Sequence, residues 1–169
     1  MFSRRMKLID IDEVEEPDTI LRTFILFSQS AREVLKYVDA HLYREAGLSV
    51  VQLIALQAMS RNNGVMTPSG IAEWTQTERH NITTLIRRMK KAGLVTTERS
   101  LYNKKVINVT MTDKGREVLA GVMPLAHRIV DQVMLSFTED DAALLERLLR
   151  PMRLNAHSGL EALSRRAQH

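Results

Sequence analysis

Residues 77–93 read Thr-Glu-Arg-His-Asn-Ile-Thr-Thr-Leu-Ile-Arg-Arg-Met-Lys-Lys-Ala-Gly. Ile82, Leu85, Ile86 and Met89 recur at i, i+3, i+4 and i+7, the spacing of a helix with one apolar face. Thr77 is the expected N-cap, with Glu78 in the first turn where negative charge is favoured. Gly93 is the expected stop, because it tolerates a left-handed backbone. At roughly 100° per residue, His80, Thr84, Arg87 and Lys91 project opposite the apolar stripe, flanked by Asn81, Thr83 and Arg88. That face holds no carboxylate, and Arg87, Arg88, Lys90 and Lys91 cluster on it. A charge run is usually a solvated face, but such faces mix both signs. These side chains are instead the ones that read base edges. Arg and Lys donate to guanine, Asn pairs bidentately with adenine, and the Thr methyl meets the thymine methyl. The expectation is that His80, Asn81, Thr83, Thr84 and Arg87 face bases, while Arg88 and Lys91 hold phosphates.

Upstream, Thr67-Pro68 opens a shorter helix, since Thr caps well and Pro suits the first helical position. Ile71, Ala72 and Trp74 are its expected apolar contacts, and the small Ala72 lets the next helix cross closely. Thr67 and Ser69, at its start, are expected to touch backbone phosphates. The turn at Thr75-Gln76 lacks the Gly often found between two such helices. Downstream of Gly93 the period changes. Residues 95–99 and 106–110 are rich in β-branched types and flank a basic tip, which reads as a hairpin. Its tip residues Asn103, Lys104 and Lys105 are placed to straddle phosphates or enter a minor groove. Two close helices followed by a basic hairpin outline a mainly α fold, a winged helix-turn-helix with a two-strand wing, over residues 48–112.

The flanks differ in character. Residues 1–17 are charged and aperiodic, an arm. From Asp18, Ile20, Leu21, Phe24, Phe27, Val34, Leu35, Val38 and Leu42 make a broad apolar stripe that Gly47 should end. A second helix, 48–61, is apolar on most faces and therefore buried. Thr112 should cap a long helix reaching about Ser136, kinked or broken by Pro124. Thr138-Glu-Asp-Asp starts another with a capping-box pattern, which Pro151 should interrupt. The segments 18–47 and 113–169 outreach the small winged module, and their apolar stripes need a partner. A second copy, packed through residues 18–42 and 120–163, is the simplest one. Two recognition helices would then address half-sites about 34 Å apart.

Composition narrows the function classes. Residues 76–116 hold ten Lys/Arg and three Asp/Glu, a local +7 in a chain of net +4, so the remainder carries −3. A basic centre on a mildly acidic chain is a footprint for a polyanion. Membrane binding is disfavoured, because the cations lie on a Thr/Asn face rather than beside a large apolar one. The absence of Cys excludes disulfides, thiolate zinc sites and thiol redox sensing. No transmembrane run and no secretory signal is recognised, so the cytoplasm is the expected location. His41 and Glu45 have the i, i+4 spacing of two metal ligands, but no second pair matches them and no metal site is expected. No phosphate loop, nucleophile elbow or paired-carboxylate motif is found, so no enzyme and no cofactor is expected.

The run 48–115 resembles the MarR family of bacterial transcription regulators. The resemblance rests on Leu48-Ser-Val-Val-Gln-Leu-Ile-Ala-Leu, Thr67-Pro-Ser-Gly-Ile-Ala-Glu, Asn81-Ile-Thr-Thr-Leu-Ile-Arg-Arg-Met, Ala92-Gly-Leu-Val95 and Val109-Thr-Met-Thr-Asp-Lys-Gly115, in this order. It implies a homodimer on a palindromic operator in double-stranded DNA, usually a repressor. It places His80, Asn81, Thr83 and Thr84 in the major groove and the wing tip at the minor groove. It also implies release by a small, often aromatic, effector bound between the dimer and DNA-binding regions, where Tyr37, His41 and Tyr43 are the candidate pocket residues. Two positions depart from the family pattern. An acid followed by Arg is common in the wing, where this chain has Asn103, Lys104 and Lys105. An acid is also common where Arg87 stands. The alternative reading is a winged module that binds a protein without reading DNA.

Overall fold

In the computed structural model, residues 18–99 and 106–166 are described. They form α1 (Thr19–Ala46), α2 (Val50–Arg61), β1 (Val65–Met66), α3 (Pro68–Thr75), α4 (Arg79–Lys91), β2 (Val95–Arg99), β3 (Ile107–Met111), α5 (Asp113–Val133) and α6 (Glu139–Arg166). The chain divides into two compact units, Met1–Val130 and Asp131–His169.

In the first unit, α1 starts where the Asp18 carboxylate accepts from the amides of Ile20 and Leu21, and it ends at Gly47 in a left-handed conformation. α2 begins two residues later than its apolar run, at a capping box. The Ser49 hydroxyl accepts from the Gln52 amide, and the Gln52 side chain accepts from the Ser49 amide at 2.9 Å. The Asp39 carboxylate accepts from the Val50 amide at 2.8 Å and ties the two helices together. Leu53, Ala55, Leu56, Ala58 and Met59 of α2 are buried, as its all-round apolarity requires.

The sheet has one strand more than the expected hairpin. Its order is β1-β3-β2, all antiparallel, with Val65 opposite Thr110 and Val95 opposite Met111. β1 is two residues long, too short to leave a periodic pattern. Val95, Val109 and Met111 point from this sheet into one core with Leu42 of α1, Leu56 and Met59 of α2, Ile71 of α3, Met89 of α4, and Val122 and Ile129 of α5. The core therefore welds the winged module to the end of α1 and to α5.

Three expectations need correction here. Pro124 does not break α5, which runs through it. Pro lacks the amide that would bond the carbonyl of residue 120, but buried Val122 and Ile129 hold the helix to the core on either side. Pro151 likewise lies inside a continuous α6. Trp74 is not a core residue, being 49% exposed. α3 buries Ile71 and Ala72, and at 100° per residue Trp74 falls about 110° from the middle of that face.

Away from the core, α1 leaves Ile20, Leu21, Phe24, Leu26, Phe27 and Leu35 exposed, Ile20 by 81%. In the second unit, the Thr138 amide donates to the Asp141 carboxylate at 2.9 Å and the Asp141 amide to the Thr138 hydroxyl at 3.1 Å, the capping pattern expected there. Leu144, Leu148, Leu154, Leu160 and Leu163 of α6 are exposed. Among the described residues, no helix is long and apolar enough to cross a membrane.

Candidate nucleic-acid interface

α3 forms where the sequence places it. The Thr67 hydroxyl accepts from the Gly70 amide at 3.1 Å, Pro68 is the first helical residue, and Ser69 is exposed. The turn that follows is made without glycine, since Gln76 itself adopts φ +51. This turn corrects the expected cap of the next helix. The Thr77 amide donates to Ala72 O at 3.0 Å and its hydroxyl accepts from Thr75 Oγ1 at 2.9 Å, so Thr77 closes α3. Glu78 is the N-cap of α4, with no side-chain capping bond.

α4 has the two faces that its sequence period predicts. Ile82, Leu85, Ile86 and Met89 are buried. His80, Asn81, Thr83, Arg87, Arg88, Lys90 and Lys91 are exposed, and Thr84 is half-buried. The apolar stripe thus packs on the core, and the polar and basic set stands outside it. One detail departs from the expected acid-free face. The Glu78 carboxylate lies 3.2 Å from His80 Nδ1. Among the described residues, Arg87, Arg88 and Lys91 have no carboxylate within ion-pairing distance, so their charge is available to an external anion.

The cations of this region are not all alike. Lys90 Nζ donates to Thr97 Oγ1 of β2 at 3.1 Å, and Lys114 Nζ donates to Ala92 O at the end of α4 at 2.8 Å. Composition alone does not separate them from Arg87 or Lys91. The spacing to a neighbouring turn or strand would have been the only signal. The wing residues Asn103, Lys104 and Lys105 lie outside the described residues.

Of the three candidate effector contacts, the structure brings two together. The rings of Tyr37 and His41 stand with centroids 4.4 Å apart. Tyr43 is 70% exposed and, two residues past His41, projects at about 200° from it. His41 Nδ1 lies 3.4 Å from Glu45, which is also bonded by Arg44 at 3.2 Å and faces Arg128 of α5 at 3.9 Å. The hydrogen bond from Arg44, and then that from His41, hold the Glu45 carboxyl below its ordinary range. Glu45 therefore serves an ion-pair cluster. Among the described residues, no group of three or more His, Asp or Glu is arranged to hold a metal.

Residues 46–105 match the model of the MarR family. No curated protein matches the chain by sequence. Solved structures match its fold. AbsC, a MarR family transcriptional regulator from Streptomyces coelicolor, is 21% identical with a TM-score of 0.77, over 85% of this chain and 97% of AbsC. A mutant MarR from E. coli, complexed with operator DNA, is 18% identical with a TM-score of 0.70, over 79% of this chain and 94% of that one. BpsR of Bordetella bronchiseptica, whose DNA binding is regulated by 6-hydroxynicotinic acid, is 18% identical with a TM-score of 0.69, over 78% of this chain and 98% of BpsR. At these identities the structural likeness speaks for the fold. The segment matched by the family model contains α2, α3, α4 and β2, the elements that present the basic face, so the likeness to the MarR family falls on the winged helix-turn-helix itself.

Proposed function

We propose that this chain is a DNA-binding transcriptional regulator, a repressor that grips a palindromic operator as a homodimer and lets go when a small aromatic effector binds. The observation that carries the reading is the division of α4. Its four apolar residues are buried, while His80, Asn81, Thr83, Arg87, Arg88 and Lys91 are exposed. In this arrangement His80, Asn81, Thr83, Thr84 and Arg87 read base edges in the major groove. Arg88, Lys91, Thr67 and Ser69 hold phosphates, and Asn103, Lys104 and Lys105 anchor the wing.

Residues 18–42 and 120–163 supply the dimer interface. The exposed large apolar side chains of α1 and, separately, those of α6 support this part of the reading, because rows of such residues are a common mark of an interaction surface. The tilted Tyr37–His41 ring pair is the place to seek the effector. The fold neighbours with hydroxylated aromatic ligands, BpsR and an organohalide-sensing regulator bound to 2,4-dichlorophenol, support that chemistry.

The test is selection of bound duplexes from a random pool. The expected result is an inverted repeat with half-site centres about 34 Å apart, bound about 10³-fold or more above random sequence. Recovery of no sequence preference would overturn the proposal and favour a winged module that binds protein.

A further inference from the structure

We infer that Thr112 and Lys114 form a latch that fixes the end of the recognition helix α4 to the start of α5, and that Lys90 and Lys114 are positioning residues rather than phosphate anchors. The inference rests on the DNA-binding reading of α4.

The turn Ala92-Gly93-Leu94 leaves α4, and each of its three carbonyls is taken by the segment that opens α5. Lys114 Nζ donates to Ala92 O at 2.8 Å. Thr112 Oγ1 donates to Gly93 O at 2.7 Å. The Thr112 amide donates to Leu94 O at 3.0 Å. The same Thr112 hydroxyl accepts from the Gly115 amide at 3.0 Å, so one side chain caps α5 and grips the end of α4. Gly115 completes the contact, as its missing side chain lets the two backbones touch. On the other flank, Lys90 Nζ bonds Thr97 Oγ1 and ties α4 to β2.

The last carbonyls of a helix carry partial negative charge and lack partners within the helix. Lys114 meets one of them, so its ammonium group is already engaged inside the protein, as is that of Lys90. Arg87, Arg88 and Lys91 have no such engagement among the described residues. The basic stretch therefore contains two classes of cation. One releases counterions from DNA, and the other holds the helix at the angle from which it reads.

The experiment compares Lys91→Met, Lys90→Met and Lys114→Met in the full chain, on a selected duplex, across a salt series. Lys91→Met should flatten the slope of log K against log salt by about 0.9. Lys90→Met and Lys114→Met should leave the slope at the wild-type value and weaken binding about two- to five-fold. Amide hydrogen exchange without DNA gives a second readout. Gly93, Leu94 and Thr112 should exchange faster in Lys114→Met and Thr112→Val, and Thr112→Ser, which keeps both hydroxyl bonds, should restore protection. A slope lowered by about 0.9 in Lys114→Met, or unchanged exchange at Gly93 and Leu94, would overturn the latch. Failure of the DNA reading would look different, since the wild type would then bind no duplex while the exchange result still decided the latch.

Discussion

Gly115 and Leu94 meet backbone to backbone, so closely that a β-carbon on Gly115 would lie 2.3 Å from the Leu94 carbonyl oxygen and 2.8 Å from Met111 Cγ. No rotamer change relieves a clash with a backbone oxygen. Gly115→Ala should therefore destabilise the fold by about 2–3 kcal/mol, despite the gain of roughly 1 kcal/mol that Ala normally brings to a helix. Urea unfolding should show a lower midpoint with an unchanged m value. A midpoint at or above the wild type would mean that α5 can retreat from the turn at no cost.

Asn81 stands exposed in the first turn of α4, and a side-chain amide there has the donor and acceptor that pair with adenine. Asn81→Ala should cost on the order of 1–3 kcal/mol on the best operator and relax preference at one base position per half-site. Arg88→Ala should weaken every duplex to a similar degree. Competition with single-base variants of the selected operator distinguishes the two outcomes.

The exposed apolar stripe of α1 predicts self-association. Light scattering at micromolar concentration should report twice the 19.3 kDa of one chain. Phe24, 56% exposed, sits on that stripe. Phe24→Glu should shift the particle towards one chain and weaken operator binding without melting the winged module. A single-chain mass for the wild type would remove the dimer from the proposal.

Acid should loosen the start of α6 before the winged core. The Thr138 hydroxyl and then its amide hold the Asp141 carboxyl below its ordinary value of 3.8. A carboxyl whose folded pKa is depressed contributes stability above the unfolded pKa and loses it as pH falls through the folded value. Protection factors of the amides of Thr138 and Asp141, taken against unstructured peptides at the same pH, should thus fall once pH drops below about 4, and Asp141→Asn should abolish that dependence. An identical pH profile in Asp141→Asn would reject the assignment.

Periodicity exposed α4, the caps at Thr67 and Thr138, and the burial of α2, because each depends on contacts within one or two turns. β1 stayed hidden because two residues carry no period. Its strand character comes from pairing with Thr110 and Val109, some 45 residues away. Thr77 departs from its expected role for a related reason. As a good N-cap type it fits the start of α4, but the left-handed Gln76 swings its hydroxyl back to Thr75. The exposed polar and basic face of α4 was legible from period and charge together. The separate duties of Lys90 and Lys114 were not, since both are decided by partners in other elements.

The bend at Gln76 has a further consequence. An L-residue held at φ +51 carries a penalty of roughly 1–2 kcal/mol, and the side chain that incurs it is exposed. Glycine escapes that penalty at the expense of a looser unfolded chain. Position 76 is consequently a reserve of heat resistance lying beside α4 but outside its exposed basic face. Laboratory evolution at rising temperature should draw on it early, leaving sequence recognition intact.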